Sequence, residues 1–311
     1  MAAEPTIALL NGARGTQETR AAALYATVSD YWALTKPEVN FLLLITTFAG
    51  FYVASTSEPA KFHYLLALHT LLGTLLVAGG TATLNQALEA SFDGQMRRTA
   101  RRPVAAGRIQ RSRAFVFGVS LAVAGAAYLA FVVNGLTCLL AVVTLATYLF
   151  LYTPLKRLTP LCTLVGAFPG AMPPLIGWAA VRGRLDAEAW VLYAIVFLWQ
   201  FPHFMAIAWM YREDYARARY LVLPLNEQRG RYLVWQSLVV SLILIAVTLA
   251  PALNGKVGLV YSAGALMLGA IFVVCSARLV FRRSNASARQ LLLASIVYLP
   301  AIFILMMLDA K

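Results

Sequence analysis

The chain has 311 residues, 60% of them hydrophobic and 13% charged, with a formal net charge of +13. Repeated apolar runs of about 20 residues, each long enough to cross a bilayer as a helix, exclude a soluble globular domain and define an all-α polytopic membrane protein. Most of the positive charge falls where membrane topology would place it, and no nucleic-acid module is visible, so the charge does not argue for a nucleic-acid partner.

Residues 1–29 are polar and Ala-rich, with Glu4 and Glu18 beside Arg14 and Arg20. They lack a charged stretch followed by an apolar one, and read as a flexible cytoplasmic tail ahead of a membrane domain over 30–311. Nine spans follow, roughly Val39–Ser55, Tyr64–Leu84 (its helix continuing past Asp93), Ala114–Val133, Leu136–Tyr152, Leu161–Val181, Ala189–Met210, Leu233–Leu253, Val257–Ala277 and Leu291–Leu308. The link at Asn134-Gly135 is so short that the third and fourth spans must form a tight hairpin. Phe168-Pro169-Gly170-Ala171-Met172-Pro173-Pro174 should break the fifth, which a bilayer tolerates where the freed backbone is buried in protein or lines a cavity. Of the 26 Lys and Arg, all but Lys61, Arg182, Arg184, Lys256 and Lys311 lie on one side if the N-terminus is cytoplasmic, which predicts an N-in, C-out arrangement. Cys138, Cys162 and Cys275 sit singly in apolar spans, without metal-ligand or disulfide spacing.

The chemistry concentrates at the end of the second span. Asn85, Glu89 and Asp93 recur every four residues, a step that drifts only about 40° around a helix, so their side chains form one ladder of oxygens. Such a ladder suits a hard divalent cation. Met96-Arg97-Arg98-Thr99-Ala100-Arg101-Arg102-Pro103 follows at once, supplying positive charge that carboxylates alone would not need unless an anion such as a diphosphate shares the site. The plain alternative, that Glu89 and Asp93 only cap a helix leaving the membrane, is strongest for Asp93. Ionisable groups near spans are costly and usually serve a site or pathway. Under this topology the end of the sixth span, from His203 to Tyr211-Arg212-Glu213-Asp214-Tyr215, reaches the same face. Lys36, before Pro37, and Lys156-Arg157 lie there too; each reads singly as an interfacial anchor, and together they can ring a diphosphate. His203, beside a proline in an apolar helix, reads first as a hydrogen-bonded structural group.

Five stretches carry a resemblance: Leu34-Thr35-Lys36-Pro37, Asn85 through Pro103, Tyr152-Thr153-Pro154-Leu155-Lys156-Arg157, Val165 through Trp178, and Trp199 through Tyr215. They are similar to the UbiA-type intramembrane prenyltransferases, and within them to the haem branch, the protohaem IX farnesyltransferases. The resemblance departs at Glu89 and Ser91, where Asp is common, and at Arg217-Ala218-Arg219, where a small Gly-containing stretch is common. It implies nine helices around a central cavity, and transfer of farnesyl from farnesyl diphosphate to a vinyl group of haem B, which is substrate and not cofactor. It further implies catalytic Asn85, Glu89, Asp93 and Asp214 acting as ligands of Mg²⁺, with Lys36, Arg98, Arg102, Lys156, Arg157, His203, Arg212 and Tyr215 binding substrates. The setting implied is the lipid of a cell inner membrane, or less directly a mitochondrial one, with the site facing the cytoplasm and a haem A synthase or terminal oxidase as assembly partner. Two other readings are a prenyltransferase acting on a quinone-precursor ring and an ion-coupled transporter. Against the transporter, no repeated pair of half-helices is visible, and the acidic groups cluster at one face.

Overall fold

The computed structural model describes residues 23–56, 62–222 and 227–310. Among these, nine helices are long and apolar enough to cross a membrane: Pro37–Thr56, Tyr64–Asp93, Arg111–Val133, Gly135–Leu155, Cys162–Arg182, Ala187–Met210, Val234–Leu253, Leu259–Arg282 and Asn285–Leu308. They are the nine expected spans, with ends shifted by a few residues. The second does not run past Asp93 as expected. The Gly94 N–H turns back to the Ala90 carbonyl, and the chain then proceeds through successive turns until the third span begins at Arg111. Of the segment expected as a tail, residues 1–22 lie outside the described residues, while 23–29 are already helical and continue to 34. Leu24, Tyr25, Val28 and Trp32 on that helix are exposed, which suits a helix lying in a bilayer surface. A bidentate Arg108–Asp30 pair ties it to the loop before the third span.

Local chemistry accounts for the irregular points. Asn134 holds the tight hairpin: its Oδ1 accepts from the Thr137 backbone N–H at 2.8 Å, capping the fourth span, and its Nδ2 donates to the Ala179 carbonyl at 2.9 Å. The fifth span is broken at Ala171 into Cys162–Gly170 and Met172–Arg182, as its prolines and glycine required. Ala171 and the prolines on either side of the break are buried, Phe168 and Gly170 are exposed, and Gln200 of the sixth span donates to the Ala167 carbonyl at 3.0 Å. The third span ends in a π-helical turn, Leu129–Val133, and the fourth carries one at Thr147–Tyr152, just before its last residues, Thr153–Leu155.

Bilayer helices gain little from hydrophobicity when they pair, so close contact of small residues holds them together. The first span lies on the second half of the fifth so tightly that a Cβ on Gly177 would stand 1.9 Å from the Thr47 carbonyl oxygen, and one on Gly50 would stand 2.1 Å from that of Pro174. The second packs along the third, the seventh against the sixth and eighth, and the ninth against the sixth, eighth and first. Large apolar side chains left on the outside, among them Phe115, Val123, Phe131, Phe150, Val260 and Ile296, form the surface offered to lipid. The three cysteines are free.

Candidate active site

The four-residue ladder is present on the second span, and its side chains point into the protein. Asn85 and Asp93 are each 1% exposed and Glu89 6%. Buried carboxylates require cations and donors, and each finds them on a different element. Glu89 accepts from Lys156 at 2.9 and 3.0 Å, from the Tyr220 hydroxyl at 3.0 Å and from Asn85 Nδ2 at 2.8 Å. Asn85 Oδ1 in turn accepts from Lys36 Nζ at 3.1 Å. Asp93 receives one guanidinium nitrogen of Arg102 on both oxygens, at 2.8 and 2.7 Å, while Thr99 Oγ1 donates to its backbone carbonyl.

The elements bearing these cations are shaped to aim them. Lys156 caps the short helix Thr153–Leu155 that follows the π-turn of the fourth span; its ammonium lies 4.5 Å from the centre of the Tyr152 ring and 5.9 Å from that of Tyr148. Thr153 joins the set: its hydroxyl accepts from Asn85 Nδ2 at 3.3 Å and donates to the Tyr148 carbonyl. Lys36 sits between the surface helix and the first span with φ +51°, left-handed backbone that costs about 1–3 kcal/mol in a non-glycine residue and is further disfavoured before proline. Side-chain bonds to the flanking carbonyls hold it there, from Gln86 to Leu34 at 2.9 Å and from Asn40 to Thr35 at 2.7 Å.

Burial lowers the Lys36 ammonium to about 7, reinforced by the positive charges of Arg102 and Lys156. Lys156 moves the other way: burial opposes its charge, but the surrounding Tyr152 and Glu89 oxygens outweigh this and raise it well above the ordinary lysine value. Burial, then the Glu89 charge, pushes the Tyr220 phenol up, so that it remains a donor.

The second acidic pole docks on the first. Asp214, on the short helix Arg212–Arg217, is 8% exposed; it accepts the Arg98 backbone N–H at 3.3 Å and pairs with Arg217. Met96, Ala218 and Tyr220 pack together, and the Leu221 N–H donates to the Lys156 carbonyl at 2.8 Å, so the loop after the sixth span closes over the ladder. Residues named from the sequence thus converge in Lys36, Asn85, Glu89, Asp93, Arg102, Lys156 and Asp214. Others stand further out. The Arg98 guanidinium lies over Tyr211 at 5.3 Å, and that of Arg157 over Phe92 at 4.2 Å. Tyr215 lies beside the Tyr220 ring. Arg212 bonds the Trp209 carbonyl and Asn285 at the start of the ninth span. His203 bonds Ser295 and stacks on Trp199. Sequence reasoning missed Tyr148, Tyr152, Thr153, Tyr220 and Arg217 as site residues. The four-residue spacing Tyr148-Tyr152-Lys156 was a usable signal; Tyr220, in a loop, carried none.

Among the described residues no three His, Cys, Asp or Glu side chains are grouped as a ready metal site. The reason is visible: each carboxylate holds a lysine or arginine. The donors of Asn85, Glu89, Asp93 and Asp214 are all hard oxygens, the type that Mg²⁺ takes, and the cations now paired with them are those a bound anion would draw away. The donor set therefore fits a divalent cation that arrives together with a polyanion.

Residues 43–302 match the sequence profile of the UbiA prenyltransferase family. The chain is 48% identical over 286 residues to a protein named protoheme IX farnesyltransferase from Solibacter usitatus, covering 90% of this chain and 98% of that one. The fold is similar to a structure of digeranylgeranylglyceryl phosphate synthase, at a TM-score of 0.73 and 15% identity over 91% of this chain and 98% of that one. It is also similar to a UbiA homologue from Archaeoglobus fulgidus bound to DMAPP and Mg²⁺, at a TM-score of 0.62 and 14% identity over 89% and 99%.

Proposed function

The chain belongs to the UbiA prenyltransferase family, and from that premise we propose that it transfers the farnesyl group of farnesyl diphosphate to a vinyl group of haem B. The observation that carries the reading is the alternation of buried carboxylates with lysines and arginines, Glu89 with Lys156 and Asp93 with Arg102, beside Lys36 on Asn85. Such an array can exchange partners: a bound diphosphate would draw the cations from the carboxylates, whose oxygens would then be free to hold Mg²⁺. That ion, held by Asn85, Glu89, Asp93 and Asp214, would neutralise charge on the leaving group. Lys36, Arg98, Arg102 and Lys156 bind the diphosphate oxygens and hold them as the allylic C–O bond breaks, the electron pair leaving with diphosphate. Arg157, Arg212 and Tyr215 stand further out, on Phe92, Asn285 and the Tyr220 ring, and in this reading meet substrate only beyond the diphosphate. The loop carrying Tyr220 shields the allylic cation from stray water. The vinyl group attacks this cation, and one water adds to the resulting carbon with loss of a proton, leaving a hydroxyethylfarnesyl substituent. The site faces the cytoplasm of a cell inner membrane in this reading, as the asymmetry of basic residues supports, and a haem A synthase or terminal oxidase is the proposed recipient of the product.

Mass spectrometry of haems extracted from cells with and without the protein tests the assignment. A protein-dependent haem heavier by farnesyl plus water is expected. Its absence, with prenylation of a quinone-precursor ring by the purified protein instead, would move the reading to that acceptor.

A further inference from the structure

The sixth span carries a side chain that the diphosphate chemistry does not use. His203 follows Pro202, half-buried, at a level where the helix contacts the ninth span. Its Nδ1 lies 2.8 Å from the hydroxyl oxygen of Ser295. That hydroxyl has one proton and gives it to the Leu292 carbonyl at 2.6 Å, so towards His203 it can only accept. The proton of the neutral imidazole is therefore on Nδ1, and Nε2 carries a bare lone pair. The ring is also fixed in direction. Trp199 stacks on it at 4.6 Å and 22°, and is itself pinned by its Nε1–H to the Ser295 carbonyl at 2.9 Å. Nε2 makes no hydrogen bond, and it is not among the sealed, unpartnered polar atoms, so it remains accessible.

An oriented imidazole whose Nδ1–H is held by an oxygen acceptor and whose Nε2 is open has the arrangement of a metal-ligating histidine with its supporting partner. Resting on the proposed haem acceptor, we infer that His203 Nε2 binds the iron of the incoming haem B as an axial ligand, with Ser295 fixing the tautomer and Trp199 the ring plane. His203 lies seven residues before the sixth span ends at Met210, about 10 Å by the rise of a helix, and the short helix bearing Asp214 follows there, so a macrocycle ligated at His203 would lie on the diphosphate side of the span. The histidine would then act by placing the vinyl group, while the cations and carboxylates act on the leaving group.

Titration of haem B into the detergent-purified full-length chain, followed by absorption and EPR spectra, tests this. The wild type should show an imidazole-ligated iron. His203→Ala should lose that signature and bind haem at least tenfold more weakly, with the signature returning on addition of free imidazole, while the KM for farnesyl diphosphate stays within about twofold as a control for folding. Ser295→Ala should keep ligation but broaden or shift the signal, because the ring is no longer held. Haem bound by wild type and His203→Ala with the same spectrum and affinity would overturn the ligand assignment alone. Failure of the wild type to bind haem at all would overturn it together with the proposed reaction.

Discussion

Lys36 is the least secure charge in the site. Its ammonium titrates near 7, and an arriving diphosphate favours the charged form, so substrate binding takes up a proton above that pH. The KM for the prenyl diphosphate should be flat below about pH 6.5 and rise above 7 by up to about tenfold per unit. Lys36→Arg, which stays charged, should flatten the profile; steady-state kinetics from pH 6 to 9 would show it, and an unchanged slope would remove Lys36 from the diphosphate. The Glu89–Lys156 pair makes a different demand. Glu89→Gln leaves the Lys156 ammonium buried without a counter-charge, a loss of about 3–5 kcal/mol on top of lost turnover. Adding Lys156→Met should restore thermal stability in detergent but not activity, a separation that a purely structural pair would not show.

At the scale of elements, the contact of the first and fifth spans relies on absent side chains. Gly177→Ala would place a methyl 1.9 Å from a backbone oxygen that cannot swing aside, forcing the helices apart at a cost of about 1–3 kcal/mol or more. A lowered melting temperature in detergent, with a smaller effect from Gly183→Ala, where no atom stands within 4 Å but the left-handed backbone is strained, is the expected ranking. Periodicity and proline content made the spans, the hairpin at Asn134 and the break at Ala171 legible in the sequence, because each depends on residues within a few positions. The ladder was legible for the same reason. Which groups answer it was not. Lys156 could be proposed only through a topology that placed it on the same face, and Tyr220 reaches Glu89 across 131 positions from a loop without periodicity. The second span's end at Asp93 also escaped, since Gly94 keeps helical backbone and the chain leaves the helix only in the turns beyond it.

At the scale of the molecule, the charge asymmetry predicts an N-in, C-out orientation, and labelling tests it. A cysteine at Gln110 should react with an impermeant reagent only from the cytoplasmic side, and one at Ala187 only from the other; both positions are exposed. Reaction of both from one side would require an odd number of crossings to be lost between them. The pairing of Glu89 with a lysine 67 residues later also has a consequence for biosynthesis. Asp93 meets Arg102 after nine residues, almost as soon as it leaves the ribosome. Glu89, at translation rates of about 5–20 residues per second, waits roughly 3–13 s for its partner to be made. Through that interval Glu89 has no lysine to answer it, and its protonated form is the one that costs least at the membrane. A substitution that keeps the fourth span from delivering Lys156 should therefore lower the amount of protein in the membrane as well as turnover, which immunoblotting beside an activity assay would show.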